Sequence, residues 1–258
     1  MSKLEKYTAH SQIADALRIE TSVVSPSVQQ ELVSHGRRVV NFMSERYGLT
    51  QLSGSNLPDR IVVTDDAGYN TFIPNWLSSF LTGEEKYSPA KQKDLLTASY
   101  MPEGGILLLN GETALWDHLD GSHKDQLIAQ SGTESMARVE LERIVMQDSV
   151  THEILHEVVG GNLSDGAYYI AHPAVFYYLR EIAQALNFPY LTTPRIETEI
   201  DFYQYLLNKY GKVFEDYMFS KGNNMDEWDL VRLETAERLR LFVQEPSGTF
   251  SLGLEFPS

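Results

Sequence analysis

Apolar residues between Pro26 and Gly48 fall at Val28, Leu32, Val39, Val40 and Met43, the spacing of one helical face behind a Ser25-Pro26 start signal. The pattern then changes. Ile61-Val62-Val63-Thr64 follows a polar turn (Ser53-Gly54-Ser55-Asn56), and Ile106-Leu107-Leu108-Leu109 sits between Gly104-Gly105 and Asn110-Gly111. Both are short, apolar and bounded by turn residues, so both predict strands. Residues 67–104, interrupted by Pro74, Pro89 and Pro102, predict irregular chain. Beyond Gly132 helical spacing returns at Met136, Val139, Leu141, Ile144 and Val145, in a run that stops at Gly160-Gly161. Pro173 reads as the start of the next helix, through Phe176, Leu179, Ile182, Ala183 and Leu186, with further helices over 197–210 and 225–243. The expected fold class is α+β: one mainly helical domain over residues 1–258, with a small sheet placed before the helix that ends near Gly160.

That helix carries His152-Glu153-Ile154-Leu155-His156, a complete HExxH motif. Two histidines four apart share a helical face and can reach one metal ion, with the intervening glutamate placed to move the proton of an activated water. Zinc accepts neutral imidazoles and needs a third protein ligand, keeping its fourth position open in hydrolytic sites. This order of elements suits a zincin-like metallopeptidase, in which a strand edge beside the motif helix holds an extended peptide; residues 105–110 are the expected edge, or else a core strand.

For the third ligand the spacing favours Asp165, nine residues after His156 and beyond the glycine turn. Glu181 on the following helix is the main rival, and His172 a third candidate, read more simply as a capping or surface residue before Pro173. Tyr168, three residues after Asp165, completes an aspzincin-like D-x-x-Y and is the first choice for the oxyanion donor, ahead of Tyr169, Tyr190 and Tyr203. His10, His35, His118 and His123 show no metal spacing.

Composition narrows the chemistry. With no cysteine, disulfides, thiolate ligands and cysteine nucleophiles are excluded. The chain has 36 acidic against 21 basic residues, a formal charge of −15. Such a surface repels nucleic acid and anionic lipid and favours basic protein partners. No apolar run approaches the ~18 residues of a membrane span, and Met1-Ser2-Lys3-Leu4-Glu5-Lys6 lacks the apolar stretch of a cleaved export signal.

The stretch from Gln147-Asp148-Ser149-Val150-Thr151 through the motif to Glu157-Val158, and on to Ile182-Ala183-Gln184-Ala185-Leu186, resembles the motif region of the NleC-like zinc protease effectors of enteropathogenic bacteria. The resemblance implies a zincin peptidase with zinc on His152 and His156 and Glu153 as general base. It also implies a secreted effector acting in a host cell on NF-κB-type transcription factors. Two departures stand out: Asn162 and Leu163 occupy the region of the family's aspartate ligand, and Ile196 stands where the family has its tyrosine, leaving Tyr190 or Tyr203 to substitute. The expected function is therefore a monomeric zinc endopeptidase using His152, His156, Asp165, Glu153 and Tyr168. The alternative is an acidic, DNA-mimicking binding protein whose HExxH is structural or vestigial.

Overall fold

The computed structural model describes residues 18–21, 26–48, 60–64, 98–101, 106–110, 115–159, 168–219 and 252–257. In chain order these form β1 (Arg18–Thr21), α1 (Pro26–Tyr47), β2 (Arg60–Thr64), β3 (Ala98–Met101), β4 (Ile106–Asn110), α2 (Leu115–His118), α3 (Gly121–Ser131), α4 (Glu134–Val158), α5 (Tyr168–Leu186), β5 (Tyr190–Thr192), α6 (Pro194–Tyr210), α7 (Lys212–Phe219) and β6 (Gly253–Glu255). The architecture is mainly helical with a small sheet ahead of the motif helix, as the hydrophobic pattern predicts. The helix expected over 225–243 lies outside the described residues.

The first sheet has the order β1-β2-β4-β3. β1, β2 and β4 run parallel, while β3 runs antiparallel to β4, with Ala98 opposite Leu109 and Met101 opposite Ile106. Two expectations change here. Residues 98–101, read as irregular, form a strand, and β4 is an interior strand flanked on both sides, so the edge beside it is β3. The four-residue length of β3, next to Pro102, explains why no alternation announced it.

α1 packs on β1, α4 packs on β3 and β4, and α1 and α4 pack on each other, so both helices cover one face of the sheet. α4 starts cleanly at Thr133, whose hydroxyl accepts from the Met136 N–H at 3.3 Å, with Glu134 in the first turn paired to Arg138. Met136 and Val139 belong to the apolar stripe in sequence but are exposed; Ala137, Leu141, Ile144 and Val145 form the buried face, packed on Leu115, Leu119, Leu127, Leu252 and Leu254. The second half of α4 turns Val150, Ile154, Leu155 and Val158 into the main core, with Leu32, Val39 and Met43 of α1 and Val175, Leu179 and Ile182 of α5.

α5 begins at Tyr168, five residues before the expected start, and takes Pro173 into its interior. At its other end Asn187 adopts φ 57°, and the Phe188 N–H returns to the Ala183 carbonyl at 3.0 Å, which closes the helix and reverses the chain into β5. The Leu191 N–H then donates to Asp148 of α4 at 2.9 Å, tying β5 to the motif helix. α6 follows with Thr193 as N-cap and Pro194 in its first turn.

A buried polar chain locks α1 to α4. His35 Nε2 lies 2.8 Å from Thr151 Oγ1, and Thr151 donates to the Gln147 carbonyl at 2.9 Å, so His35 is the donor of the shared bond. The Gln147 amide reaches Glu31 at 2.7 Å, and Arg143 pairs with both Glu31 and Glu140. Burial pushes the His35 pKa down to about 4, with the charges of Arg38 and Arg143 adding to the effect. Because the folded value lies below the unfolded one, the unfolded chain binds the extra proton between the two, and stability falls as pH drops from 6.5 toward 4 while remaining intact above 6.5. Urea unfolding of the metal-free protein across this window should show a steeper loss in the parent than in His35→Gln, by up to ~1.4 kcal/mol per pH unit. Parallel curves would mean that His35 is not a buried neutral donor.

Candidate metal centre

On α4 the apolar positions Val150, Ile154, Leu155 and Val158 fix which face is buried, and this leaves His152, Glu153 and His156 partly open beside α5. The two imidazoles turn the same way: His156 Nε2 and His152 Nε2 are 3.0 Å apart, with ring centroids at 4.7 Å. α5 brings a third ring to them. His172 lies with its centroid 5.6 Å from His152 and 4.7 Å from His156, and one nitrogen of each of the three residues falls within 4.8 Å of the others. Phe176, one turn after His172, packs at 5.2 Å from His152 and stacks on His172 at 5.8 Å, walling one side of the cluster with an apolar ring.

Continuation of α5 through Pro173 makes this possible. A helix beginning at Pro173 would leave His172 in the connecting loop, whereas a helix beginning at Tyr168 sets His172 and Phe176 on one face, toward α4. The signal was present as the i, i+4 pair His172–Phe176, and the proline masked it. Pro173 gives up its own N–H bond and crowds the carbonyl four residues back, a cost the helix bears in its second turn.

The donor set is electrically ready for a cation. Burial drives the His152 pKa well below its usual value, aided by repulsion from His156 and His172. Burial alone takes His156 down to about 4, and His172 falls to about 3 through burial and then the charges of His156 and Arg195. All three imidazoles are thus neutral near pH 7, the form that coordinates metal. In a tetrahedral zinc site two nitrogens at ~2.0–2.1 Å from the ion lie about 3.3 Å apart, close to the spacing of the two motif histidines.

The other sequence candidates separate. Glu181 is engaged elsewhere: Tyr47 donates to its carboxylate, and Tyr177 does so at 3.3 Å, on the side of α5 that faces α1 and α6. Tyr203 is fully buried with its hydroxyl 3.2 Å from that of Tyr178, and Tyr190 is buried in β5 opposite Glu255, so neither belongs to the histidine cluster. Asp165 lies outside the described residues, as do the side chains of Tyr168 and Tyr169; the backbone of Tyr168 opens α5 one turn before His172. Among the described residues, the only group of three or more His, Asp or Glu side chains with metal-binding spacing is His152, His156 and His172. His35, without metal spacing in the sequence, is a structural histidine bound to Thr151.

No protein family model, curated protein or solved structure matches this chain. The site therefore stands on its own geometry.

Elemental analysis of protein purified with supplemented zinc should find near-stoichiometric metal in the parent. Both His152→Ala and His172→Ala should lose it, while Glu181→Gln and Asp165→Ala retain it. Loss in Asp165→Ala with retention in His172→Ala would return the third ligand to the aspartate.

Proposed function

We propose that this chain is a zinc-dependent endopeptidase of zincin type, with zinc held by His152, His156 and His172. The observation that carries the reading is the convergence of His172 on the two motif histidines, three neutral donors from two packed helices. The sheet gives it support: a mixed sheet whose antiparallel edge strand β3 adjoins the motif helix, with α1 beside that helix over the same face. Its likeness to the order of elements in zincins supports the reading as an analogy of fold. The edge of β3 away from β4 would hold an extended peptide by backbone hydrogen bonds, while residues 106–110 take the interior-strand alternative.

Zinc in such a site supplies a Lewis acid for the scissile carbonyl and lowers the pKa of water. The chain supplies the rest. His152, His156 and His172 present neutral nitrogens from packed helices, so little reorganisation accompanies binding. Glu153 adjoins the first ligand and stays partly exposed, and its carboxylate accepts the proton of the attacking water and passes it to the leaving amine nitrogen. Tyr168, one helical turn before His172, remains the proposed donor to the oxyanion. Phe176 makes one wall apolar, which strengthens the electrostatic interactions inside.

The acidic surface points the search for substrates toward proteins with basic faces. Delivery as an effector and action on NF-κB-type factors rest on the motif-region resemblance. Among the described residues no helix is long and apolar enough to cross a membrane.

Glu153→Gln should keep its zinc and its thermal midpoint while cleavage of an unfolded, basic test protein falls by about 10²–10⁴-fold. Chelator should abolish the parent's activity and zinc should restore it. A zinc-loaded parent that cleaves nothing across a broad panel of basic proteins would favour the acidic decoy, whose binding salt should screen and chelator should not touch.

A further inference from the structure

The apolar wall of the histidine cluster is only half covered by the protein. Along α5, Ala174, Val175, Tyr177, Tyr178 and Leu179 are buried, while His172, Phe176 and Arg180 are half-buried at intervals of four residues. Residues four apart share a helical face, each about 6 Å further along the axis, so these three make one partly open stripe. Phe176 is its apolar member. On α4 the partly open positions beside it are His152, Glu153 and His156, whereas Ile154 and Leu155 are buried.

The ring touches ligands on both helices. Its centroid lies 5.2 Å from that of His152 on α4 and 5.8 Å from that of His172 on its own helix, only 21° from parallel to the latter. A phenyl ring that served the core alone would gain most by full burial, as Tyr178 and Leu179 do. Phe176 packs against the main core but keeps part of its surface in water at the histidines. That water is what an apolar group arriving at the metal would displace, and its release favours binding.

We propose that Phe176 is a specificity residue of the metal site, and that substrates lay a large apolar side chain, flanking the scissile bond, on its ring. A carbonyl brought to an ion among the three imidazoles carries its neighbouring side chains to the same wall, since the ring is in contact with two of the ligands. The acidic surface and the ring then act at different scales: charge draws a basic protein, and Phe176 chooses an apolar residue within its basic face. This inference rests on the metallopeptidase reading, because the bond to be cut must lie at the histidines.

The test is calorimetry on zinc-loaded full-length protein with peptide hydroxamates, whose hydroxamate binds the metal. Three otherwise identical probes carry Phe, Leu or Ala beside the hydroxamate. The parent should bind the Phe and Leu probes about tenfold tighter than the Ala probe. Phe176→Ala should erase that advantage at unchanged zinc stoichiometry. Should loss of the ring loosen His172 and cost the metal, two volume-filling variants read the same subsite. Phe176→Leu should keep the preference for the Leu probe, and Phe176→Trp should fill the space and weaken the Phe probe most. Equal affinity for all three probes in the zinc-loaded parent overturns the proposal and leaves the metal site standing. A preference that survives unchanged in every zinc-loaded Phe176 variant also overturns it, because another wall would then hold the side chain. Failure of the parent to hold zinc ends the metallopeptidase reading, and the proposal falls with it.

Discussion

The position of α4 is the constraint on which the rest of the structure depends. Its apolar residues Val150, Ile154, Leu155 and Val158 must be buried, and three neighbours close on them: α1, the edge of the first sheet, and α5. Burying a side chain of this size contributes roughly 1.5–3 kcal/mol, so rotating the helix would forfeit several such contributions at once. The polar contacts sharpen what burial begins. His35 with Thr151, and Asp148 with the Leu191 N–H, would each leave a buried donor or acceptor unmatched if the helix slid. With its rotation and axial position set, His152 and His156 have one place to point.

The same grip explains the electrostatics. His35, His152, His156 and His172 are all held neutral chiefly by burial, and burial pushes Asp148 up to about 7 against the opposing hydrogen bond from the Leu191 N–H. Among the described residues the second half of α4 thus gathers groups that burial holds neutral, while its ion pairs lie nearer its start. Arg195 and Glu199 of α6 differ, forming an ion pair with one member exposed and the other buried.

Much of this was legible in the amino-acid pattern because helical periodicity is a local signal. α1 and β2 sit within a residue of their predicted bounds, and α4 runs from the expected Gly132 boundary through the whole motif. What escaped was set by tertiary contact. β3 is four residues long and exists because β4 offers it a partner, and its pairing moves β4 from the edge of the sheet to the interior. Met136 and Val139 fit the helical stripe, but no neighbour covers their side. His172 was undervalued for a definite reason: Pro173 reads as a helix start, and only packing of Phe176 and His172 on α4 draws the helix back to Tyr168. Spacing along the chain favoured Asp165 as third ligand, whereas the donor brought to the motif among the described residues comes from the far side of the glycine turn, on the next helix.

A third imidazole in place of a carboxylate alters what the site selects. Magnesium and calcium take oxygen donors, and the many surface carboxylates of this chain offer those freely. Three half-buried imidazoles offer no charge and no oxygen, so a site built from them would discriminate by donor type and suit zinc, copper, nickel or iron. With His172 in the set, the ligands leave the full charge of a divalent ion uncompensated, where His152, His156 and Asp165 would have cancelled one unit of it. Nearby groups must then share that field. Glu153 is the adjacent carboxylate in sequence, and such an ion would favour its negative form, the one able to take a proton from water.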